Sequence, residues 1–238
     1  MSEKMEKVMA NENKTCAKEL RKSKSLKEVL KEAEEKSKGK KPPEIAAAMA
    51  KATKDLKEFN FKEKTLKIGD AFPEAILLNH KGEEVSLKEA LDGKPAIISF
   101  YRGSWCPYCN LELAYYTKLL GEKENKDIRM FAISPENPDI AMKNTDPESL
   151  NFVICSDIDN KLAKDLNLVF GLPEKIQEIY QKFGIDLDES QGNTKKELPI
   201  PATFVLDKDA NVAYVNLDED YTTRPDANEV VAEYKRLR

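Results

Sequence analysis

Two cysteines three residues apart, Cys106 and Cys109, stand in the run Ser99-Phe100-Tyr101-Arg102-Gly103-Ser104-Trp105-Cys106-Pro107-Tyr108-Cys109. Thiols at this spacing can make and break a covalent link with each other, and the reacting form is the thiolate. The surrounding residues favour that form. Ala96 to Tyr101 is an apolar run that predicts a strand, and Cys109 to Leu120 predicts a helix. The first turn of a helix carries unpaired N–H groups and the positive end of the helix dipole, and both stabilise an anion. Pro107 suits the first helical position, where its missing N–H costs nothing and its fixed φ stiffens the turn. Trp105 is placed to shield one side of the pair and leave one sulfur open. A zinc site and a pair of inert cysteines are the competing readings. Zinc needs four ligands, and the remaining candidates, Cys16, Cys155 and the single histidine His80, include no second close pair. No metal and no cofactor are expected.

A second segment bears on the pair. Leu198-Pro199-Ile200-Pro201-Ala202-Thr203-Phe204 enters a late strand, and a proline belongs at such an entry because it cannot donate to the ladder. An X-Pro bond adopts cis for only about 0.5–1 kcal/mol. A cis Pro201 is expected beside the thiols, turning the backbone of Ile200 toward them to pair with an extended substrate; a trans proline at a strand start is the alternative. Glu112, one turn into the helix, is a candidate to relay a proton or to orient Arg102, with a solvated helix face as the other reading. Tyr101 and Tyr108 either line the approach or pack. The sequence places neither the Arg102 nor the Arg224 guanidinium. Cys155 ends an apolar strand and reads as buried filler, while Cys16 lies in a loose arm.

The elements that must hold this site follow from periodicity and punctuation. Ser25-Leu26-Lys27-Glu28 matches a capping box and opens a helix with Leu26, Val29, Leu30 and Ala33 on one face. Pro43 opens a second, with Ile45, Met49, Ala52, Leu56 and Phe59 recurring every three or four residues. Two such helices cannot form a core alone and must lie on the following domain or on a second subunit. Residues 75–79 and 83–85 flank a His80-Lys81-Gly82 turn and predict a hairpin. Strands are expected over 128–134, 152–155, 202–206 and 212–217, helices over 160–166, 172–183 and 226–236, and a polar loop over 190–196. Strands separated by helices predict an α/β domain whose sheet is mixed, mostly parallel and flanked by helices. The boundary is placed at residue 65: a helical extension over 1–65, its first 14 or so residues disordered, and the redox domain over 66–238.

Charge and cysteine usage narrow the setting. The net charge is −4, but residues 1–65 carry 18 Lys/Arg against 12 Asp/Glu, so the body is acidic. No aromatic residue is interleaved with the basic ones before Phe59, so nucleic acid is not an expected partner. No run of 18 apolar residues and no apolar leader occur, so neither a membrane span nor export is expected. Four cysteines in 238 residues do not suit a disulfide-stapled secreted fold, and a cytoplasmic location follows. His80 lies in an early turn, which leaves no Cys–His pair for hydrolysis.

The C-x-x-C between strand and helix, with the late Ile-Pro-Ala-Thr-Phe segment, resembles the thioredoxin superfamily. The Cys-Pro-Tyr-Cys tetrapeptide is similar to that of glutaredoxins. The wider frame resembles the peroxiredoxins, the alkyl hydroperoxide reductase and thiol-specific antioxidant family, in a branch with Phe-Tyr-Arg-Gly-x-Trp-Cys-Pro-Tyr-Cys. Lys67-Ile68-Gly69-Asp70-Ala71-Phe72-Pro73, Ala132-Ile133-Ser134-Pro135 and Val205-Leu206-Asp207-Lys208-Asp209 support that frame over roughly residues 43–238. The resemblance implies a thioredoxin-like fold and a thiol-dependent peroxidase cycling between a Cys106/Cys109 dithiol and its disulfide. Its substrate is a peroxide and its reductant is of the thioredoxin or glutaredoxin type; a homodimer is a further expectation. Tyr101, Arg102, Trp105, Pro107, Glu112, Ile200 and Pro201 are the expected supporting residues. The chain departs from the family's Thr-x-x-Cys, since Cys106 falls at the Thr position and Cys109 at the peroxide-attacking position, and Pro201 stands where an Arg is expected. In a thioredoxin-like reading the roles reverse: Cys106, nearer solvent, attacks and Cys109 resolves. Two alternatives therefore stand beside the peroxidase, a protein disulfide oxidoreductase and a redox-sensing interaction module that uses the basic arm.

Overall fold

The computed structural model describes residues 24–143 and 149–238. The helix α1 (Leu26–Ser37) starts where the sequence marks it. The Ser25 hydroxyl accepts from the Glu28 amide, and the Glu28 carboxylate accepts in return from the Ser25 amide at 2.8 Å. Helix α2 (Pro43–Lys57) carries proline at its first position and a short α3 (Phe61–Lys64) follows. Strands β1 (Ile76–Leu78) and β2 (Glu84–Ser86) form the expected hairpin, and α4 (Leu87–Leu91) is capped by the Ser86 hydroxyl. Then come β3 (Ala96–Phe100), α5 (Pro107–Gly121), β4 (Met130–Ser134), α6 (Pro138–Ala141), β5 (Val153–Ser156) and α7 (Lys161–Asp165). The chain ends with β6 (Val169–Gly171), α8 (Glu174–Lys182), α9 (Leu187–Gln191), β7 (Glu197–Pro199), β8 (Ala202–Leu206), β9 (Val212–Leu217) and α10 (Ala227–Arg236).

Seven strands form one sheet in the order β2-β1-β5-β4-β3-β8-β9. It is mixed, with helices on both faces, but it is not mostly parallel: only the central pairs β3/β4 and β4/β5 run parallel, and the other four pairs are antiparallel. The reason lies in the connections. A parallel pair needs a crossover, which α5 and α6 supply, whereas β1/β2 and β8/β9 are joined by tight turns at 79–83 and at 207–211. The expected polar loop also differs. Ser190 and Gln191 are buried at the end of α9, and Glu197–Pro199 pairs with β6 in a separate two-stranded sheet. The helix expected from Leu172 begins at Glu174, behind Pro173.

Every residue of β3 is buried. Its alternating side chains serve opposite layers, Ile97 with α1, α5 and α10, and Ile98 and Phe100 with α4, α7 and β8. A strand with both faces covered reads as a continuous apolar run, and that run delivers the chain to Arg102. The two N-terminal helices dock differently. Helix α1 places Leu26, Val29 and Leu30 at 3% exposure or less against α5. Helix α2 buries none of its residues fully and lays Ile45, Ala48, Met49 and Ala52 against α8. Residues 1–23, with Cys16 and the expected disordered arm, lie outside the described residues. Leu26→Ala should lower the unfolding free energy by about 2–5 kcal/mol, the range for deleting a fully buried leucine side chain; urea denaturation followed by circular dichroism measures it.

Candidate active site

The strand β3 ends at Phe100, and after five intervening residues the chain enters α5 with Cys106 as N-cap and Pro107 as its first residue. Cys109 therefore sits one turn in, on the buried side. The connecting loop is held from below. The Glu136 carboxylate, fully buried after β4, accepts from the Ser104 amide at 2.6 Å, from the Ser104 hydroxyl at 3.1 Å and from the Ser190 hydroxyl at 2.9 Å. Gly103 is required by close approach, since a Cβ there would lie 2.3 Å from Trp105 Nε1.

Both sulfurs are fully buried. Trp105 does not leave one open, and Cys106 is not nearer solvent than Cys109. The cover is a cluster that converges from distant parts of the chain. Arg102 Nη2 donates to Cys106 Sγ at 3.1 Å, and Arg102 Nη1 donates to the Tyr180 hydroxyl at 2.9 Å. The same guanidinium stacks 4.1 Å over the Tyr221 ring and 5.1 Å from the Trp105 ring. A desolvated cation on an aromatic face is stabilised by about 2 kcal/mol. Trp105 packs on Tyr180, and Tyr108 meets Tyr221 edge to face.

A second arginine serves the second sulfur. Arg224 Nη2 donates to Cys109 Sγ at 3.2 Å, and Arg224 Nε donates to Glu112 Oε2 at 2.5 Å. Glu112 also accepts from Ser99 at 3.3 Å. The carboxylate thus orients Arg224 rather than Arg102, because Glu112 faces the sheet one turn beyond Cys109 while Arg102 lies above the thiols. The two arginines differ in countercharge. Arg224 has Glu112, whereas no carboxylate pairs with Arg102 among the described residues.

The thiols divide accordingly. Burial works against the Cys106 thiolate, but a hydrogen bond from Cys109, the Arg102 charge and hydrogen bond, and the Arg224 charge together hold it well below the usual thiol range. Burial pushes Cys109 well above that range, reinforced by its hydrogen bond to Cys106 and the charge there, against the opposing pull of both arginines. Burial also raises the Glu136 carboxyl despite its serine donors. Cys155, on β5, is a buried thiol pushed up to about 12 by burial alone.

The late proline corrects an expectation. The Ile200–Pro201 bond is trans, and no cis peptide occurs among the described residues. The Ile200 amide donates to the Leu168 carbonyl at 2.7 Å, so it is not free to pair with a substrate. Ile200 and Pro201 instead line a cavity of about 470 Å³ that also reaches Arg102, Tyr180 and Tyr221. Pro107 is exposed, and Tyr101 is buried in the core. Tyr180, Tyr221, Glu136 and Ser190 were not legible as site residues, because each reaches the thiol loop from a different element with no local spacing to mark it. No group of three or more His, Cys, Asp or Glu among the described residues could hold a metal ion.

A family model described as the AhpC/TSA family matches residues 68–215. The thiol-disulfide oxidoreductase ResA of Bacillus thuringiensis is 27% identical over 152 residues, 63% of this chain and 70% of that protein. A putative peroxiredoxin, bcp, of Buchnera aphidicola is 31% identical over 121 residues, 51% of this chain and 74% of its own length. Among solved structures, the peroxidoxin BcpB of Mycobacterium tuberculosis superposes with a TM-score of 0.55 at 20% identity, covering 73% of this chain and 99% of that one.

Replacing Arg102 by Gln removes the charge that faces Cys106 most directly. The midpoint for Cys106 alkylation by iodoacetamide should move up in pH, toward that of a free thiol. The sign follows from the reacting form: thiolate disappears as pH falls through the Cys106 pKa, so the variant loses reactivity at a pH where the parent keeps it.

Proposed function

Because the chain belongs to the AhpC/TSA family, we propose that it is an antioxidant, thiol-dependent peroxidase in which Cys106 attacks the peroxide and Cys109 resolves. The observation that carries the assignment of roles is the buried Arg102 guanidinium, 3.1 Å from Cys106 Sγ and without a carboxylate partner among the described residues. The Cys106 thiolate attacks the terminal oxygen of the peroxide; an S–O bond forms and the O–O bond breaks. The departing alkoxide or hydroxide takes a proton, and Cys106 is left as a sulfenic acid. The Arg102 N–H groups and the Tyr180 hydroxyl are the donors available to the leaving oxygen. The Cys109 sulfur then attacks the sulfenic sulfur, water departs, and a Cys106–Cys109 disulfide forms. Arg224, oriented by Glu112, stabilises negative charge on Cys109 as its proton leaves. An external thiol, of the thioredoxin or glutaredoxin type, reduces the disulfide.

This order reverses the one implied by the family frame, in which the Cys109 position attacks. The extension over 1–65 and the redox domain over 66–238 are part of the same reading, as is a cytoplasmic setting where thiol reductants are plentiful. No helix among the described residues is long and apolar enough to cross a membrane.

Protein disulfide exchange is a second reading, favoured by the ResA relationship. Two features weigh against it. Both sulfurs lie beneath Arg102 and its aromatic neighbours, where a peroxide fits more readily than a disulfide on a folded partner. The Ile200 amide that would pair with an extended peptide is already bonded.

One comparison tests the roles. Cys106→Ser should abolish hydrogen peroxide consumption. Cys109→Ser should undergo a single oxidation and stop, gaining the mass of one oxygen by intact-protein mass spectrometry. The reverse pattern would transfer attack to Cys109, and reduction of a protein disulfide without peroxide consumption would favour the second reading.

A further inference from the structure

Neither Cys106 nor Cys109 lines the 470 Å³ cavity, yet Arg102 both lines it and donates to Cys106 Sγ. Its volume is that of a site for a small organic molecule. One wall is β6 with α8, through Val169, Phe170 and Ile176, and the facing wall is α2 with the turn after it, through Met49, Leu56 and Phe59. Arg102 is 5% exposed, and its Nε is buried without a hydrogen-bond partner. The acids that line the cavity leave this charge unmet: Asp55 pairs with Lys51, and Glu219 does not bond Arg102. Two lysines line it as well, but Lys164 pairs with Glu197 and Lys64 is exposed. Arg102 is therefore the buried cation of the cavity that lacks a carboxylate among the described residues. A buried guanidinium is best matched by the two oxygens of a carboxylate, and the apolar walls suit a hydrocarbon body. An aliphatic monocarboxylate has both parts.

We propose that this cavity binds a free aliphatic carboxylate, its hydrocarbon chain between α2 and the β6–α8 wall and its head on Arg102, and that the bound carboxylate competes with the Cys106 sulfur for that guanidinium. The ligand is an effector, and no bond in it is made or broken. Two anions that share one cation each weaken the other's hold on it. The coupling is reciprocal. An occupied cavity disfavours the Cys106 thiolate, and loss of that thiolate, by oxidation or by substitution, strengthens carboxylate binding. The inference goes beyond the peroxidase reading and holds equally if the thiols act on disulfides.

Equilibrium dialysis of radiolabelled decanoate against the full chain, kept reduced with dithiothreitol, tests this. One saturable site is expected. Decanol has the same chain without the charge, and should displace the label at least about ten-fold less well than unlabelled decanoate, the scale of one charge-assisted hydrogen bond. Ala52 lines the cavity from α2, so Ala52→Phe fills the chamber and should weaken decanoate binding by about ten-fold or more, as a misfit in an apolar pocket does. Cys106→Ser removes the competing anion and leaves the cavity walls intact. It should bind decanoate about five-fold or more tightly than the parent, the lower end of typical coupling between sites. Absence of a saturable site, displacement by decanol as effective as by decanoate, or undiminished binding in folded Ala52→Phe overturns the ligand assignment. Equal affinity in the parent and Cys106→Ser overturns the competition for Arg102. All of these are binding measurements, so their failure is separate from any failure to consume hydrogen peroxide.

Discussion

A guanidinium buried with no carboxylate partner among the described residues is the constraint on which the site depends. Burying an isolated charge is costly unless a countercharge and hydrogen bonds compensate. Arg102 has a phenol, two aromatic faces and a sulfur around it. Of these, only the sulfur can carry a full negative charge at neutral pH, because burial raises the Tyr180 and Tyr221 hydroxyls further from ionisation. The thiolate and the arginine therefore stabilise each other. Neither would be tolerated alone where the other stands, since truncating one member of a buried pair leaves an uncompensated charge.

The second arginine shows why this asymmetry is useful. Arg224 sits as close to Cys109 as Arg102 does to Cys106, at 3.2 Å against 3.1 Å. Its charge is already balanced by Glu112, so it exerts less demand for an anion on the sulfur. The Cys106 thiol is pulled down and the Cys109 thiol is pushed up, which favours the thiolate at Cys106 with Cys109 donating to it. A dithiol cycle needs that starting point, because two neighbouring thiolates would repel and two thiols would not attack. The helix N-terminus adds to the effect at Cys106, which caps α5, more than at Cys109, which lies within its first turn.

Much of the scaffold was legible because it is local. The Ser25 capping box, proline at the first position of α5, the hairpin at His80 and the strands β8 and β9 all follow from patterns spanning fewer than a dozen residues. The thiol pair was legible for the same reason. What escaped is long-range. Arg102 meets Tyr180 across 78 residues, and Glu112 meets Arg224 across 112. No periodicity records such contacts, so Glu112 was matched to the wrong arginine. The expected pairing of the Ile200 backbone with a substrate failed for a related reason. The Ile200 amide finds its partner in Leu168, in a segment the sequence did not mark as a strand. The sheet was read as mostly parallel because alternating helices and strands reveal crossovers at its centre but not the hairpins at its edges.

Helix α2 brings these levels together. Its sequence, rich in alanine and lysine, has high helix propensity, so it can persist with little burial. Its apolar face nevertheless recurs at helical spacing, and such a face needs something to meet. Part of it meets α8, and part borders the cavity that Arg102 also lines. A helix seated on a full core would have buried those side chains completely. One held off the body by a chamber leaves them half-covered, as Met49, Ala52 and Leu56 are. The incomplete burial of α2 and the open volume that Arg102 lines are thus the same fact seen from two sides.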